Sequence, residues 1–97
     1  MALVNTARLD WNDLRFFLAV ARHGSTLAAA RALRVSQTTV ARRIEALEHA
    51  VNLPLFDRRQ AGYALTPAGE DLVRHAVEVE EAAERFADAA AARGRDL

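Results

Sequence analysis

The sequence of 97 residues contains no cysteine and no lysine, only two prolines and four glycines, and no long apolar run. The missing cysteines exclude disulfides, cysteine-ligated metal sites and thiol nucleophiles. No apolar stretch approaches the roughly 18 residues that cross a bilayer, and the N-terminus lacks the basic, apolar and small-residue succession of a signal peptide. We therefore expect a cytoplasmic protein that contacts no membrane.

Patterns typical of catalysis and metal binding are missing as well. The three histidines, His23, His49 and His75, are scattered, and nothing places them beside a consistent acid or a second ligand. We interpret each as a histidine at the surface or at the edge of the core. The chain also has no Gly-rich phosphate loop and no nucleophile–base pair. The sequence therefore predicts no catalytic residue, no metal site and no cofactor.

The charges balance over the whole chain but not within its two parts. All thirteen basic residues are arginines, and thirteen acids bring the net charge to zero. Residues 1–66 hold nine arginines and five acids, a charge of +4, whereas residues 67–97 hold four arginines and eight acids, a charge of −4. Arginine suits bidentate contacts to phosphate and guanine. The first part is therefore the better candidate for binding an anionic partner.

Three short helices are predicted after a loosely ordered leader, residues 1–9. Asp10 is the natural cap of the first helix, which ends at Gly24, and Ser25 caps a second helix over residues 26–33. A third helix follows over residues 37–51. Two short helices joined by a turn of about three residues are typical of a helix-turn-helix, in which the second of the two reads DNA. A generic three-helix bundle is the alternative.

The helix over residues 37–51 has an apolar and a polar face. With Ser36 as its cap, the helix places Val40, Ile44, Leu47 and Val51 in one stripe. Thr38 and Arg42 lie opposite, flanked by Gln37, Thr39, Ala41 and Arg43. Bases near a helix N-terminus oppose the dipole's preference for anions, which indicates that this end is reserved for an external anion. A solvated amphipathic helix is the alternative.

Residues 55–65 predict a β-hairpin, with strands near residues 55–58 and 63–65 and a loop that contains Gly62. Arg58, Arg59 and Gln60 fall on or near its tip, where they could reach phosphates or a minor groove. We interpret the hairpin as a wing beside the reading helix. A solvated hairpin whose arginines contact only water is the alternative.

A long helix is predicted to begin after the capping residue Thr66, with Pro67 at its first position and Glu70 in its first turn. We expect it to cover residues 67–92 and to end before Gly94, which leaves residues 93–97 as a tail. Its roughly 26 residues would extend about 39 Å, farther than so small a domain can cover.

Apolar residues on this long helix alternate at spacings of four and three, as in a coiled coil. They are Leu72, Ala76, Val79, Ala83, Phe86 and Ala90. The simplest partner for such a seam is the same helix of a second chain, which predicts a homodimer. A helical protein-interaction module that docks through this helix is the alternative.

In their order and spacing, these motifs resemble the N-terminal DNA-binding domain and linker helix of the LysR-type transcriptional regulators. The resemblance covers about residues 10–92. The segments that carry it are Leu14-Arg15-Phe16-Phe17, Ala19-Val20-Ala21, Gly24-Ser25 with Ala29-Ala30, Leu33 with Val35-Ser36-Gln37, Ile44-Glu45, Leu47-Glu48, Leu53-Pro54-Leu55-Phe56-Asp57-Arg58 and Leu65-Thr66-Pro67-Ala68-Gly69-Glu70.

The resemblance implies a mainly α-helical fold with a small β-hairpin: a winged helix-turn-helix over residues 10–66 and a C-terminal dimerisation helix. In the family, the reading helix enters the major groove of double-stranded DNA, the wing contacts the flanking groove or backbone, and paired linker helices place two domains on an interrupted palindrome. Carried over by position, the residues that would face bases are Gln37, Thr38, Ala41 and Arg42. Arg58 closes the wing motif, and the implied phosphate contacts are Ser25, Thr26 and Ser36. The predicted DNA-binding residues also include Thr39, Arg43 and Arg59.

The sequence departs from the family pattern in two ways. The family usually has serine where Ala41 stands, so a methyl that could pack against thymine replaces a hydroxyl. Family members also continue into a large domain that binds a small-molecule effector, whereas this chain ends at Leu97. We therefore interpret it as an excised DNA-binding portion of a regulator, with a natural short form as the alternative. An effector would act only through a domain missing here.

Overall fold

A computed structural model describes residues 9–59 and 62–95. These residues form helices and one two-stranded antiparallel sheet, in the order α1 (Asp13–His23), α2 (Thr26–Leu33), α3 (Gln37–Val51), β1 (Phe56–Asp57), β2 (Ala64–Leu65) and α4 (Pro67–Arg95). This arrangement confirms the predicted winged helix-turn-helix with a long C-terminal helix.

The second and third helices begin at the predicted cap residues. Ser25 Oγ accepts a hydrogen bond from the N–H of Ala28, and Ser36 Oγ accepts one from the N–H of Thr39, both at 3.0 Å. Each bond satisfies one of the backbone donors that a helix start leaves without an intrahelical partner. Local side-chain chemistry therefore sets where both helices of the helix-turn-helix begin.

The first helix begins later than predicted, because Asp10 does not cap it. Asp10 Oδ1 accepts from the N–H of Asn12 at 2.9 Å, which makes a turn of its own before the helix. Asn12 occupies the cap position without a side-chain cap bond, and α1 starts at Asp13. Leu9, which the sequence places in the loosely ordered leader, is half-buried and packs against the core. Residues 1–8 lie outside the described residues.

The core lies where the first three helices meet the wing. Phe17 of α1 contacts the ring of Phe56 edge to face, with centroids 5.6 Å apart. Phe56 in turn contacts Tyr63 in the same manner, also at 5.6 Å. Such edge-to-face pairs add to the stabilisation that burial provides. The wing is therefore fastened to α1 through a row of three aromatic rings.

The hairpin is shorter than predicted, since the backbone at its expected ends bonds to other elements. Phe56 pairs with Leu65 and Asp57 with Ala64. The N–H of Leu55 instead donates to the side chain of Glu48 at 2.8 Å, and the N–H of Tyr63 donates to the carbonyl of Gly24 at 3.1 Å. The predicted wing residue Gln60 lies outside the described residues.

The last helix extends beyond its predicted end, through Gly94 to Arg95. A glycine inside a helix costs only about 1 kcal/mol relative to alanine, and arginines favour the negative end of the helix dipole. The predicted tail is thus helical as far as Arg95, whereas residues 96 and 97 lie outside the described part. At the other end the predicted cap is confirmed, because Thr66 Oγ1 accepts from the N–H of Gly69 at 3.0 Å.

The start of α4 packs closely on the chain that enters the wing. A Cβ added to Gly69 would lie 2.2 Å from the carbonyl oxygen of Leu55 and 3.0 Å from the side chain of Leu65. Thr66 Oγ1 also donates to the carbonyl of Pro54 at 2.7 Å. Only glycine permits this approach, which lets α4 lie against the domain before leaving it.

Replacing Gly69 by alanine should therefore destabilise the fold, whereas the same substitution at Gly94 should not. The new methyl at Gly69 would meet a backbone oxygen, and overpacking of this kind costs about 1–3 kcal/mol. At Gly94 no atom lies within 4 Å of the added Cβ, and alanine is the better helix former. Denaturant unfolding measures both variants, and equal stabilities would contradict the close approach at Gly69.

Candidate nucleic-acid interface

The two faces of α3 are separated as the periodicity predicts. Val40 and Ile44 are 0% exposed and Leu47 is 2% exposed. The opposite side carries exposed side chains, in chain order Thr38, Arg42, Glu45 and His49. Residues three and four apart share one side of a helix. A continuous polar stripe therefore faces outward along α3, with its arginine near the N-terminal end.

The start of α3 is tied to α2 by a side-chain hydrogen bond. Gln37 Nε2 donates to Thr26 Oγ1 at 2.9 Å, and Thr26 is only 5% exposed. The side chain of Thr26 therefore positions Gln37. The hydroxyl oxygen of Thr26 thus already accepts one hydrogen bond, and a phosphate contact by Thr26 stays a prediction.

The two cap serines differ in exposure. Ser25 is half-buried, whereas Ser36 and Thr39 are both exposed, with their hydroxyl oxygens 2.8 Å apart. These hydroxyls stand at the N-terminus of α3, where the helix dipole favours an anion. Phosphate contacts by Ser25 and Ser36 remain predictions.

The two predicted arginines of α3 are directed differently. Arg42 is exposed and makes no ion pair with any of the described residues. Arg43 Nη1, in contrast, lies 3.5 Å from Asp13 Oδ1 and 3.7 Å from Asp10 Oδ2. The Arg43 side chain therefore points to the start of α1. Ala41, beside them, is half-buried.

Both predicted arginines of the wing pair with nearby acids. Arg58 Nη2 donates to Glu48 Oε1 at 2.7 Å, and its guanidinium carbon lies 5.0 Å from the centroid of the Tyr63 ring. Arg59 Nη2 donates to Asp57 Oδ2 at 2.7 Å. The hydrogen bonds from Arg59 hold the pKa of Asp57 at about 2. A DNA phosphate would have to compete with these carboxylates for either arginine.

Glu48 positions the wing, a role that the sequence analysis missed. Its Oε2 accepts from the N–H of Leu55 at 2.8 Å and of Phe56 at 3.3 Å, while Oε1 accepts from Arg58. The Glu48 side chain is 16% exposed. Its position between the buried and polar faces of α3 was the one available signal. Through Glu48, the reading helix sets the position of the wing directly.

The sequence analysis also missed two exposed arginines beside the turn between α2 and α3. Arg31 lies in the last turn of α2, and Arg34 follows that helix in a left-handed conformation with φ of 58°. Neither makes an ion pair within residues 9–59 and 62–95. Two bases three residues apart, just before the reading helix, are a signal that could have indicated them. They place positive charge next to the start of α3.

A bidentate ion pair joins α1 to α4. Arg22 Nη1 donates to Glu80 Oε2 at 3.0 Å, and Nη2 donates to Oε1 at 2.7 Å. The hydrogen bond to Arg22 lowers the pKa of Glu80. Residues 81–95 of α4 are all exposed. The pair therefore marks where α4 leaves the domain.

The predicted apolar seam of α4 has a part that packs on its own domain and an exposed part, and the change between them lies near Glu80. Ala76 is buried in the core of its own domain, and Leu72 is half-buried and packs against that core. The prediction that a second chain must cover Ala76 is therefore wrong, because the close approach at Gly69 lays the first turns of α4 on the core, whereas an interface at Leu72 stays a prediction. The exposed seam residues are Val79, Ala83, Phe86 and Ala90, with Phe86 77% exposed.

An apolar groove extends this exposed seam towards the beginning of α1. It has a volume of about 170 Å³ and opens between α1, α3 and α4. Trp11, Leu14 and Val79 are among its lining residues, and Trp11 and Val79 are exposed. The groove and the exposed part of the seam share Val79 and therefore form one apolar surface.

Two other features are absent from the described residues. No group of three or more histidine, cysteine, aspartate or glutamate side chains is placed there to hold a metal ion. No helix within the same residues combines the length and the apolar character needed to cross a membrane.

The chain is similar in sequence to known bacterial regulators. Residues 11–70 match a family described as bacterial regulatory helix-turn-helix protein, lysR family. The chain is similar to the HTH-type transcriptional regulator ClcR of Pseudomonas putida, with 41% identity over 68 residues, which are 70% of this chain and 23% of ClcR. It is 39% identical over 88 residues to the HTH-type transcriptional regulator TcbR of Pseudomonas sp. strain P51, covering 89% of this chain and 30% of TcbR.

One similar solved structure is a DNA-binding domain in complex with DNA. The crystal structure of the CbnR DNA-binding domain in complex with DNA has a TM-score of 0.80 and 35% identity to this chain. The similarity covers 89% of this chain and 99% of that domain. The chain thus matches one domain nearly end to end, while it spans less than a third of the two regulators.

Removing the Glu48 carboxylate should destabilise the domain more than removing the neighbouring Glu45 carboxylate. Glu48→Ala leaves the N–H groups of Leu55 and Phe56 without their acceptor, and hydrogen bonds to a charged group contribute about 1.5–3 kcal/mol. Glu45→Ala is the matched control, since Glu45 is exposed and such surface changes stay within about 0.5 kcal/mol. Thermal and denaturant unfolding measure both, and a loss no larger for Glu48→Ala would contradict its role in the wing.

Proposed function

Because the chain belongs to the LysR family of bacterial helix-turn-helix regulators, we propose that it binds double-stranded DNA sequence-specifically, with α3 in the major groove. The exposed stripe of α3 is the observation that carries this proposal. Short hydroxyl side chains, and an arginine that pairs with no acid of the described residues, stand opposite a buried face. The CbnR domain, whose crystal structure is a complex with DNA, supports DNA binding by this fold at 35% identity.

Arg42 is the proposed reader of a base, and Gln37, Thr38 and Ala41 accompany it. Its guanidinium fork matches the two acceptors of guanine in the major groove. Arg42 lies in the second turn of α3 on the exposed stripe, where no carboxylate of the described residues holds it. Thr38, one turn earlier on the same stripe, offers a hydroxyl to a neighbouring base.

Arg31 and Arg34 are the proposed backbone contacts. Phosphate contacts by arginine release counterions, which favours binding independently of sequence. Arg58 and Arg59 of the wing are proposed to contact the flanking groove or backbone, where their carboxylate partners reduce the charge they present. Binding is thus attributed mainly to the arginines around the turn between α2 and α3.

We infer that the domain acts as a homodimer on an interrupted palindrome. The exposed residues Val79, Ala83, Phe86 and Ala90 form a seam that no other described residue covers. A second copy of α4 presents the same seam, so the interface can be self-complementary. The groove lined by Trp11 and Leu14 continues this surface and adds apolar area to the contact.

The similar proteins are named transcriptional regulators, and transcriptional regulation is the role we propose for this chain. No catalysis is part of the proposal. A cytoplasmic location, and an effector that acts through a further domain, remain predictions of the sequence analysis.

Arg42→Ala and Arg34→Ala should weaken DNA binding in different ways. Loss of a bidentate base contact should cost about 1–3 kcal/mol per half-site on the preferred sequence and much less on random DNA. Loss of a phosphate contact should weaken both duplexes alike and reduce the log–log salt slope by about 0.9 per subunit. Affinities for a selected and a random duplex at several salt concentrations measure the difference. If Arg42→Ala lost affinity equally on both duplexes, Arg42 would be a backbone contact.

Val79→Glu combined with Phe86→Glu should convert the dimer into a monomer. Both glutamates would lie in the proposed interface, where burying an unpaired charge is strongly unfavourable. Arg85→Glu combined with Ala92→Glu is the control, because it places two exposed glutamates on the other side of the same helix. Sedimentation at micromolar concentration reports the state of each variant. A dimer that survives the first pair of substitutions would locate the interface elsewhere.

A further inference from the structure

Of the two arginines of α3, Arg43 is the one that forms ion pairs with acids outside the helix among the described residues. Its Nη1 lies 3.5 Å from Asp13 Oδ1 and 3.7 Å from Asp10 Oδ2, both at the beginning of α1. The Arg43 side chain is 39% exposed. It thus lies between the core and the surface and is directed away from the exposed stripe of α3.

Asp13 is an unusual partner, because it is buried. Asp13 is 3% exposed, and its Oδ1 has no hydrogen-bond partner among the described residues. Burial raises the pKa of Asp13, the Arg43 guanidinium opposes this rise, and the Asp10 carboxylate adds to it. A buried carboxylate without hydrogen bonds depends on a nearby cation. Arg43 is the cation that the described part of the chain supplies.

The position of Arg43 in α3 gives this contact a consequence for binding. Arg43 follows Arg42 directly, and Thr39 stands one turn earlier on the same side of the helix. Thr39 and Arg42 are both exposed in the proposed interface. A guanidinium released from α1 at this position would stand at the edge of the proposed interface, next to Thr39 and Arg42.

We propose that Asp13, assisted by Asp10, holds Arg43 on α1 and thereby keeps a phosphate-binding cation out of the DNA interface. Asp13 is then a positioning residue that limits affinity for unselected DNA. This inference rests on the proposed DNA binding. Specificity is the ratio of specific to non-specific affinity, and each added phosphate contact strengthens binding to every sequence. Retaining Arg43 on α1 therefore lowers the part of the affinity that is independent of sequence and leaves the specificity ratio itself unchanged.

A double-mutant cycle tests the proposal with the full chain and a random-sequence duplex. The variants are Asp13→Asn, Arg43→Gln and their combination, compared with the parent protein. The glutamine keeps an amide donor near Asp13 while removing the charge. Salt titrations give the log–log slope for each protein, and circular dichroism confirms that each is folded.

The expected result is that the parent protein and Arg43→Gln have the same slope, because Arg43 does not contact phosphate. Asp13→Asn should steepen the slope by about 0.9 per subunit, which corresponds to one added phosphate contact. Its gain in affinity should fall about 3.5-fold per subunit between about 50 and 200 mM salt. The combined variant should return to the slope of Arg43→Gln.

Three results would overturn the proposal. A shallower slope for Arg43→Gln would show that Arg43 contacts phosphate in the parent protein. A gain from Asp13→Asn that persists in the Arg43→Gln background would reflect only the lost negative charge, and no gain would show that Arg43 is not restrained. If Asp13→Asn does not fold, Asp10→Asn replaces it, since Asp10 is exposed. We expect Asp10→Asn to steepen the slope in the same direction but by less. An unchanged slope would count against the proposal. A parent protein that binds neither a selected nor a random duplex would instead refute the proposed function.

Discussion

Burial of one face of α3 is the constraint on which the rest of the structure depends. Val40, Ile44 and Leu47 are locked into a core that α1 and α2 complete. Once these side chains are inside, helical geometry leaves no choice about the direction of Thr38 and Arg42. Turning α3 by one residue, in one direction or the other, would bring Arg43 or Glu45 to the buried position of Ile44, and burying either charge would be far costlier than any contact it could gain. The outward direction of the polar stripe follows from the core.

The polar contacts of α3 complete what its apolar face begins. Gln37 bonds to α2, Arg43 pairs with the start of α1, and Glu48 accepts from the backbone of the wing. These contacts leave the helix in three directions, at its beginning, middle and end. Each joins α3 to a different element, so the helix cannot shift without breaking at least one of them. The proposed reading surface is therefore held by the whole domain.

Elements that depend on local signals could be predicted from the sequence. Cap serines followed by helical apolar spacing were sufficient for α2 and α3, and Thr66 with Pro67 for the start of α4. The length of the hairpin was not predictable in this way, because Leu55 bonds to Glu48 on another element. The direction of the Arg43 side chain and the burial of Thr26 likewise depend on contacts with other elements. Periodicity determines which face of a helix is polar, whereas tertiary partners decide which polar side chain stays free.

Tertiary pairing also explains why the net charge of residues 1–66 describes the proposed interface only coarsely. Acids of the first 66 residues pair with Arg43, Arg58 and Arg59, and Arg22 pairs with an acid of α4. Paired charges largely cancel beyond a few ångströms, and salt screens what remains over a distance of about 8–10 Å. The arginines without such partners in the described residues, among them Arg31, Arg34 and Arg42, therefore dominate the field around the turn between α2 and α3. Internal pairing thus concentrates the positive potential at the start of α3, where the proposed DNA contact lies, in a chain whose net charge is zero.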